Sequence, residues 1–291
     1  MKVIVTGASG FLGRRVMRAL RMEGVQAQGT WSATPRQGLM RLDITDARAV
    51  DLAFSEGRFD VCIHAAARCN LDDCERHRSA ATNINVGGTG NVVEACRRTR
   101  TRLLYVSTDH VFDGAPARTY VETDEPRPLQ HYGVTKREGE LLVLTLEDAL
   151  VLRVPLLYGL TGPDEKATFV TSTLEQLATG QPVYVDGEQV RYPVLVDEVA
   201  GLLTRLAGGG VRGVLHFSGG EATTKYAWAR RLAHAFNLDV SLVRTRKESS
   251  LAVRPRDNRL ESTRLSALGL KAPFSLSEGL DVLRHQREAG V

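Results

Sequence analysis

The chain has 291 residues, 43% hydrophobic and 25% charged, a composition that excludes a disordered polymer and suffices for one large domain or a domain carrying a smaller lobe. Its formal net charge is +4 and its isoelectric point about 9.0, but the arginines are scattered, with no Lys/Arg run and no basic stretch interleaved with aromatics. That distribution argues against a nucleic-acid partner and suits anionic small molecules.

The first predicted element is the apolar run Val3-Ile4-Val5, followed by Thr6-Gly7-Ala8-Ser9-Gly10-Phe11-Leu12-Gly13. Three glycines at three-residue intervals thus follow a buried-strand pattern and precede helical spacing at Leu12, Val16, Ala19 and Leu20. Residues lacking Cβ let phosphates approach the backbone, and a helix opening near Phe11 aims its free N–H groups at a diphosphate. Further strand-length runs at residues 25–30, 61–65, 103–107 and 151–154 are each separated by enough chain for a crossover helix. The expected architecture is therefore α/β, a doubly wound parallel sheet whose ligands gather at the carboxyl ends of the strands. After Pro155 the elements shorten and turns become frequent, which predicts a second, smaller α+β lobe with helices over residues 168–178, 197–206, 224–236 and 277–287. Residues 1–155 are expected to form the dinucleotide-binding domain, with later segments interleaved, and 156–291 mainly a substrate lobe.

Cys62, Cys69, Cys74 and Cys96 lack paired zinc spacing and are expected as reduced thiols inside the fold; no metal-ligand cluster is read. No apolar stretch approaches the ~20 residues a membrane helix needs, and a strand pattern fills the first residues. The expectation is a cytoplasmic protein with no membrane partner.

His131-Tyr132-Gly133-Val134-Thr135-Lys136 places a tyrosine four residues before a lysine in a helical pattern, so both side chains share one face. An ammonium beside a phenol favours the phenolate and is expected to lower the tyrosine pKa from ~10, suiting proton exchange with an alkoxide or carbonyl oxygen. Ser107 and Thr108 end the strand predicted at 103–107, where hydroxyls face the crevice. Thr108 can orient a substrate carbonyl toward Tyr132, with Ser107 behind it.

With these residues in view the chain resembles the extended short-chain dehydrogenase/reductase superfamily, whose fold is the Rossmann sheet. The matching residues are the glycine turn from Gly7 to Gly13, His64-Ala65-Ala66-Ala67, Asn85-Val86-Gly87-Gly88-Thr89, Thr108, and Tyr132 with Lys136. More narrowly, the stretch from Ser107 to Gly114 (STDHVFDG) and Arg254-Pro255-Arg256-Asp257-Asn258 are similar to the dTDP-4-dehydrorhamnose reductase branch. That branch also contains the regulatory β subunit of methionine adenosyltransferase, to which Phe217-Ser218-Gly219, Thr224-Lys225-Tyr226 and Ala235-Phe236-Asn237-Leu238 are similar.

The resemblance implies that Gly7, Gly10 and Gly13, with Ser9, Phe11 and Leu12, frame the cofactor diphosphate and that Asp43 and Ile44 flank the adenine. Ala65, Ala66 and Ala67 are implied to run beneath the nicotinamide-side ribose, Lys136 to hold its hydroxyls, and Tyr132 to protonate the substrate. Asn85 is implied to be a structural or proton-relay position near the site. The end of the second strand carries no acid that would chelate a ribose and repel a 2′-phosphate; Ser32 and Arg36 can instead meet a phosphate, so NADPH is expected over NADH. Arg153, Arg191, Arg254 and Arg256 are candidate contacts to the diphosphate of a nucleotide-sugar substrate. The chain departs from the rhamnose-forming pattern at His110, where tyrosine is usual, and at Leu156, where tryptophan is usual; His110 lies at a substrate position, and its bland reading is a structural hydrogen bond.

The leading expectation is an NADPH-dependent reductase of a nucleotide-activated 4-keto-6-deoxy sugar. One alternative is an NADP-binding regulatory or scaffold subunit, and another is a sugar-nucleotide epimerase or dehydratase, which would hold NAD. A homodimer is left open, as is a Mg²⁺ requirement that no ligand cluster indicates.

Overall fold

The computed structural model describes residues 1–290 apart from 34, 116–117, 163 and 248. The amino-terminal half runs β1 (Lys2–Thr6), α1 (Phe11–Met22), β2 (Gln26–Trp31), β3 (Met40–Arg41), α2 (Ala47–Gly57), β4 (Val61–His64), α3 (Leu71–Arg76), α4 (Arg78–Thr82), a π-helical turn (Asn83–Gly88), α5 (Thr89–Thr99), β5 (Arg102–Thr108), β6 (Thr119–Tyr120), α6 (His131–Val143) and β7 (Ala149–Val154). It continues with β8 (Leu157–Tyr158), α7 (Phe169–Ala178), β9 (Val183–Val185), β10 (Val194–Leu195), α8 (Val196–Ala207), β11 (Gly213–His216), α9 (Lys225–Ala235), β12 (Val243–Thr245), β13 (Arg259–Leu260) and α10 (Leu276–Glu288).

Seven strands form one sheet in the order β11-β7-β5-β4-β1-β2-β3, with parallel neighbours throughout. Alternation of side chains explains why the early strands are apolar without interruption. Val3 and Val5 pack into a layer with Leu12, Val16 and Leu20 of α1 and Val199, Leu203 and Leu206 of α8, whereas Ile4 faces Val50 and Phe54 of α2 and Val92 and Cys96 of α5. After β1 the chain builds outward to β2 and β3, then returns through β4 to build the other way. The crevice at the carboxyl ends of β1 and β4 is the topological switch point of the sheet.

The boundary at residue 155 is crossed twice by later chain. Strand β11 pairs with β7, Gly213 opposite Leu150 through His216 opposite Arg153, and α8 covers α1. The four helices expected in the second half are present with ends shifted by a residue or two. α7, α9 and α10 enclose Trp228, which is fully buried with its ring edge-on to Tyr158 at 5.2 Å. The remaining strands form two- or three-residue parallel pairs, β10 with β8 and β12 with β9 within this lobe and β13 with β6 of the amino-terminal half. Such short strands carry no period to read, which is why the sequence shows turns there and little else.

Candidate active site

The turn after β1 is built by backbone requirements. Gly7 has φ +72°, and a Cβ there would lie 2.7 Å from the Ala66 nitrogen, so glycine lets the β1 turn and the loop after β4 approach each other. A Cβ on Gly13 would lie 2.2 Å from the Gly7 carbonyl oxygen, so that glycine brings α1 against the strand. Gly10 is the exposed N-cap of α1 and uses no side-chain cap, which leaves the first N–H groups of the helix facing outward.

This turn opens a cleft of about 1050 Å³ along the carboxyl edge of the sheet. Gly7, Ser9, Gly10, Phe11, Leu12 and Gly13 line its floor on the β1 side, and Ser32, Asp43 and Ile44 line the end beyond β2. Ala65, Ala66 and Ala67 follow β4 along the middle. Ser107, Thr108, His110, Tyr132 and Lys136 line the far half, with Arg191 and Arg254 arriving from the second lobe.

The tyrosine and lysine lie in the first turns of α6, whose N-cap Gln130 accepts the Gly133 N–H at 2.5 Å. Thr108 ends β5; its hydroxyl donates to the Asp109 carboxylate at 3.0 Å and accepts the His110 N–H at 3.2 Å. The three groups therefore converge on one cleft. Their electrostatics differ from the expectation drawn from spacing. Burial, the largest influence, raises the Tyr132 pKa well above its usual value, reinforced by Cys69, Tyr105 and Asp109, with hydrogen bonding from Thr108 opposing it. Lys136 does not offset this: its ammonium lies 3.9 Å from the centroid of the Tyr105 ring, and burial lowers its own pKa to about 7 against the pull of Glu140 and Cys69. In the unliganded protein the phenol is protonated, a state that can give a proton away.

A layer of buried polar groups fixes these side chains from behind. Glu140, fully buried one turn beyond Lys136, accepts Ser107 Oγ at 2.5 Å and is clasped by Arg153 through Nε at 2.9 Å and Nη2 at 2.8 Å. Asn85, in the π-helical turn, accepts the Arg68 N–H at 2.7 Å and donates to the Arg68 carbonyl at 3.0 Å, which shapes the loop after Ala67. It also donates to Thr135 at 3.0 Å, tying that loop to α6.

The family model described as "RmlD substrate binding domain" matches residues 1–286. The chain belongs to this RmlD family. It is 34% identical over 285 residues to methionine adenosyltransferase 2 subunit beta of Bos taurus, covering 94% of this chain and 85% of that one. It is 32% identical over 282 residues to the probable low-salt glycan biosynthesis reductase Agl14 of Haloferax volcanii, covering 94% of each chain. Its fold matches that of dTDP-4-dehydrorhamnose reductase from Bacillus anthracis str. Ames in complex with NADP, with TM-score 0.89, 27% identity and coverage of 98% of this chain and 99% of that one.

Two residues expected at the ligand, Arg153 and Arg36, stand elsewhere in this RmlD-family chain, and Asn85 lies behind the cleft wall and not on it. Arg153 is 1% exposed and its guanidinium is consumed by Glu140 and by His216 at 3.3 Å, so it braces α6 from inside the fold and does not reach the cleft. Asn85 is 1% exposed and acts through the Arg68 loop. Arg36 donates to the carbonyl of Asp164, and the cleft wall at that end is formed by Trp31, Ser32 and Ala33; Thr34 lies outside the described residues. Cys69 also departs from expectation, because it is exposed and lines the cleft, while Cys62, Cys74 and Cys96 are buried free thiols.

Lys225, at the start of α9, and Asp109, after β5, line the same cleft and were not among the residues singled out as ligand contacts. Lys225 follows its N-cap Thr224, which accepts the Ala227 N–H at 3.1 Å, a capping signal that says where a helix starts but not what it faces. Among the described residues no group of three or more His, Cys, Asp or Glu side chains could hold a metal, and no helix is long and apolar enough to cross a membrane.

Proposed function

We propose that this RmlD-family chain is an NADPH-dependent reductase of a nucleotide-activated 4-keto-6-deoxy sugar. The observation that carries the reading is the convergence of Thr108, Tyr132 and Lys136 on a cleft whose other end is a glycine turn under a helix N-terminus. The cradle fits a dinucleotide: Gly7 and Gly13 are positions a Cβ would fill, and α1 presents uncapped N–H groups where a diphosphate needs donors. Gly10, Ser9, Phe11 and Leu12 would hold that diphosphate, Asp43 and Ile44 the adenine, and Ala65 to Ala67 would give the inner ribose a flat bed. When bound, the cofactor supplies the hydride that reduces the keto carbon.

The chain's own residues do the rest. The protonated Tyr132 phenol donates to the oxygen that becomes an alkoxide, and Thr108 positions that oxygen. Lys136 would hold the ribose hydroxyls; as the ligand excludes water, its ammonium offsets the charge left on Tyr132. Arg191, Arg254 and Lys225 form the cationic end of the cleft that suits a sugar-nucleotide diphosphate. The end of β2 offers Trp31, Ser32 and no carboxylate, with the Arg41 guanidinium 5.9 Å from the Trp31 ring, which favours a 2′-phosphate.

The test is the loss of NADPH absorbance with a panel of dTDP-4-keto-6-deoxy sugars. Turnover by the wild type that falls at least 100-fold in Tyr132→Phe, with NADPH binding retained, supports the reading. No turnover on any member would sink it, and equal efficiency with NADH would remove the cofactor preference. A second reading, an NADP-binding regulatory subunit, is favoured by the 34% identity to methionine adenosyltransferase 2 subunit beta. Tight NADPH binding with no reduction, together with stoichiometric co-purification of another enzyme, would replace the first reading by the second.

A further inference from the structure

His110, on the short helical turn after β5, meets the catalytic helix through Gln130. The Gln130 side chain touches two groups: one end lies 2.5 Å from the Gly133 backbone nitrogen and the other 2.7 Å from His110 Nδ1. Gly133 N–H can only donate, so the atom facing it is the amide oxygen. The atom facing His110 is then the amide NH₂, which can only donate, and His110 Nδ1 has to present a lone pair. The ring proton consequently resides on Nε2. Gly133 enforces this contact, because a Cβ there would lie 2.1 Å from the His110 carbonyl oxygen and 2.8 Å from Gln130 Oε1.

We infer that Gln130 is a positioning residue that fixes His110 as the neutral Nε2–H tautomer, making His110 a hydrogen-bond donor to an acceptor oxygen of the sugar bound in the cleft. His110 lines the cleft 6.1 Å from Tyr132, ring centroid to ring centroid, and its Nε2 has no acceptor among the described residues. The substrate then has to offer an oxygen lone pair at this point. A sugar carrying only a methyl or methylene there loses the contact and leaves a polar group unpaired.

The same linkage opposes protonation. An imidazolium would present Nδ1–H to the Gln130 NH₂. Relief by rotating the amide would take the oxygen away from Gly133 and uncap the helix that carries Tyr132 and Lys136. The surrounding groups act on His110 as well: burial lowers its pKa, Asp109 opposes this, and Arg191 and Arg254 reinforce it. Tyr132 stands with its ring at 70° to that of His110 and carries no charge.

The donor role rests on the proposed reductase reading, but the tautomer does not, and the two are tested apart. Long-range ¹H–¹⁵N correlation on ¹⁵N-histidine-labelled full-length protein, with the signal assigned by His110→Phe, reads the protonated nitrogen directly. The wild type is expected to show a protonated Nε2 and a bare Nδ1 at pH 7, and to keep that state further into acid than an exposed histidine does. Gln130→Leu removes the donor and is expected to mix the tautomers. Gln130→Glu keeps an acceptor for Gly133 and offers a carboxylate to Nδ1; it is expected to move the proton to Nδ1 or to yield the imidazolium near pH 7, with α6 intact by circular dichroism. A wild-type signal protonated on Nδ1, or spectra unchanged in both Gln130 variants, overturns the inference. With a keto-sugar that the wild type turns over, His110→Phe, which removes the donor outright, is expected to raise KM about tenfold with a smaller change in kcat. Unchanged KM overturns the donor role, whereas absence of any turnover bears on the reductase reading alone.

Discussion

Replacing Lys136 by methionine should stabilise the unliganded protein while removing its ligand chemistry. The lysine is 3% exposed, and its pKa falls from the ordinary 10.5 to about 7, so the folded chain holds a proton there less tightly than the unfolded chain does. For a base with a depressed folded pKa the penalty is full below the folded value and fades as pH rises toward the unfolded value. Between those pKa values the unfolded state binds one proton more, so stability rises with pH. Linkage between 10.5 and about 7 gives a cost of about 4 kcal/mol at pH 7 that shrinks to about 1 kcal/mol at pH 9.5. The contact with Tyr105, lost in the variant, returns roughly 1 kcal/mol and does not change the sign. Urea unfolding of wild type and Lys136→Met at both pH values measures the difference. The variant should be the more stable by a few kcal/mol at pH 7, with most of that advantage gone at pH 9.5. An advantage that is absent, or that does not change with pH, would refute the buried-ammonium reasoning, because packing differences between lysine and methionine do not titrate.

Breaking the ion pair behind the site with Glu140→Gln strands Arg153 at 1% exposure and should cost about 3–5 kcal/mol in chemical denaturation, while lowering the Lys136 pKa further. Gly7→Ala places a side chain at φ +72° and 2.7 Å from the Ala66 nitrogen, so NADPH affinity followed by fluorescence should fall at least tenfold, with about 1–3 kcal/mol of stability lost. His64 joins Thr6 on β1, at 2.5 Å, to Thr89 on α5, at 3.1 Å, and burial lowers its pKa to about 3. The unfolded histidine takes up a proton below about pH 6.5 and the folded one does not, so stability should drop as pH falls from 6.5 toward 3. His64→Asn should flatten that acid slope by about one proton, measurable in melts between pH 6.5 and 4.

Much of the sheet was legible because parallel strands buried on both faces read as apolar runs, and residues 3–5 and 61–63 are such runs. The cleft was legible for a related reason: its residues lie at strand ends and helix starts, so the glycine turn, Thr108 and the Tyr132/Lys136 pair each carry a local spacing. Strand β11 was missed because Gly213-Val-Leu-His is four residues long, and its pairing with β7 depends on chain sixty residues away. Arg153 was misplaced for the same kind of reason. Nothing local to Arg153-Val154-Pro155 discloses that Glu140 of α6, 13 residues earlier, closes a salt bridge over it. The direction of the Tyr132 shift was also out of reach. Spacing says that an ammonium and a phenol share a helix face, but only packing says that Lys136 turns onto Tyr105 and that burial outweighs the charge.

That electrostatic arrangement bears on the choice between an enzyme and a binding subunit. The glycine turn and the uncapped start of α1 suffice to hold a dinucleotide, and neither reading needs more at that end of the cleft. The far end carries what holding a diphosphate does not require: a lysine buried at a cost of about 4 kcal/mol, on a cleft it shares with a neutral phenol. Groups left in such states gain their stabilisation only when charge develops in front of them, which is what proton donation to a reduced carbonyl provides. If Lys136→Met binds NADPH as tightly as the wild type and the chain turns over no keto-sugar, those costs have no chemical counterpart and the regulatory reading gains. If NADPH affinity drops and turnover disappears together, the strain at the far end is the site's working state.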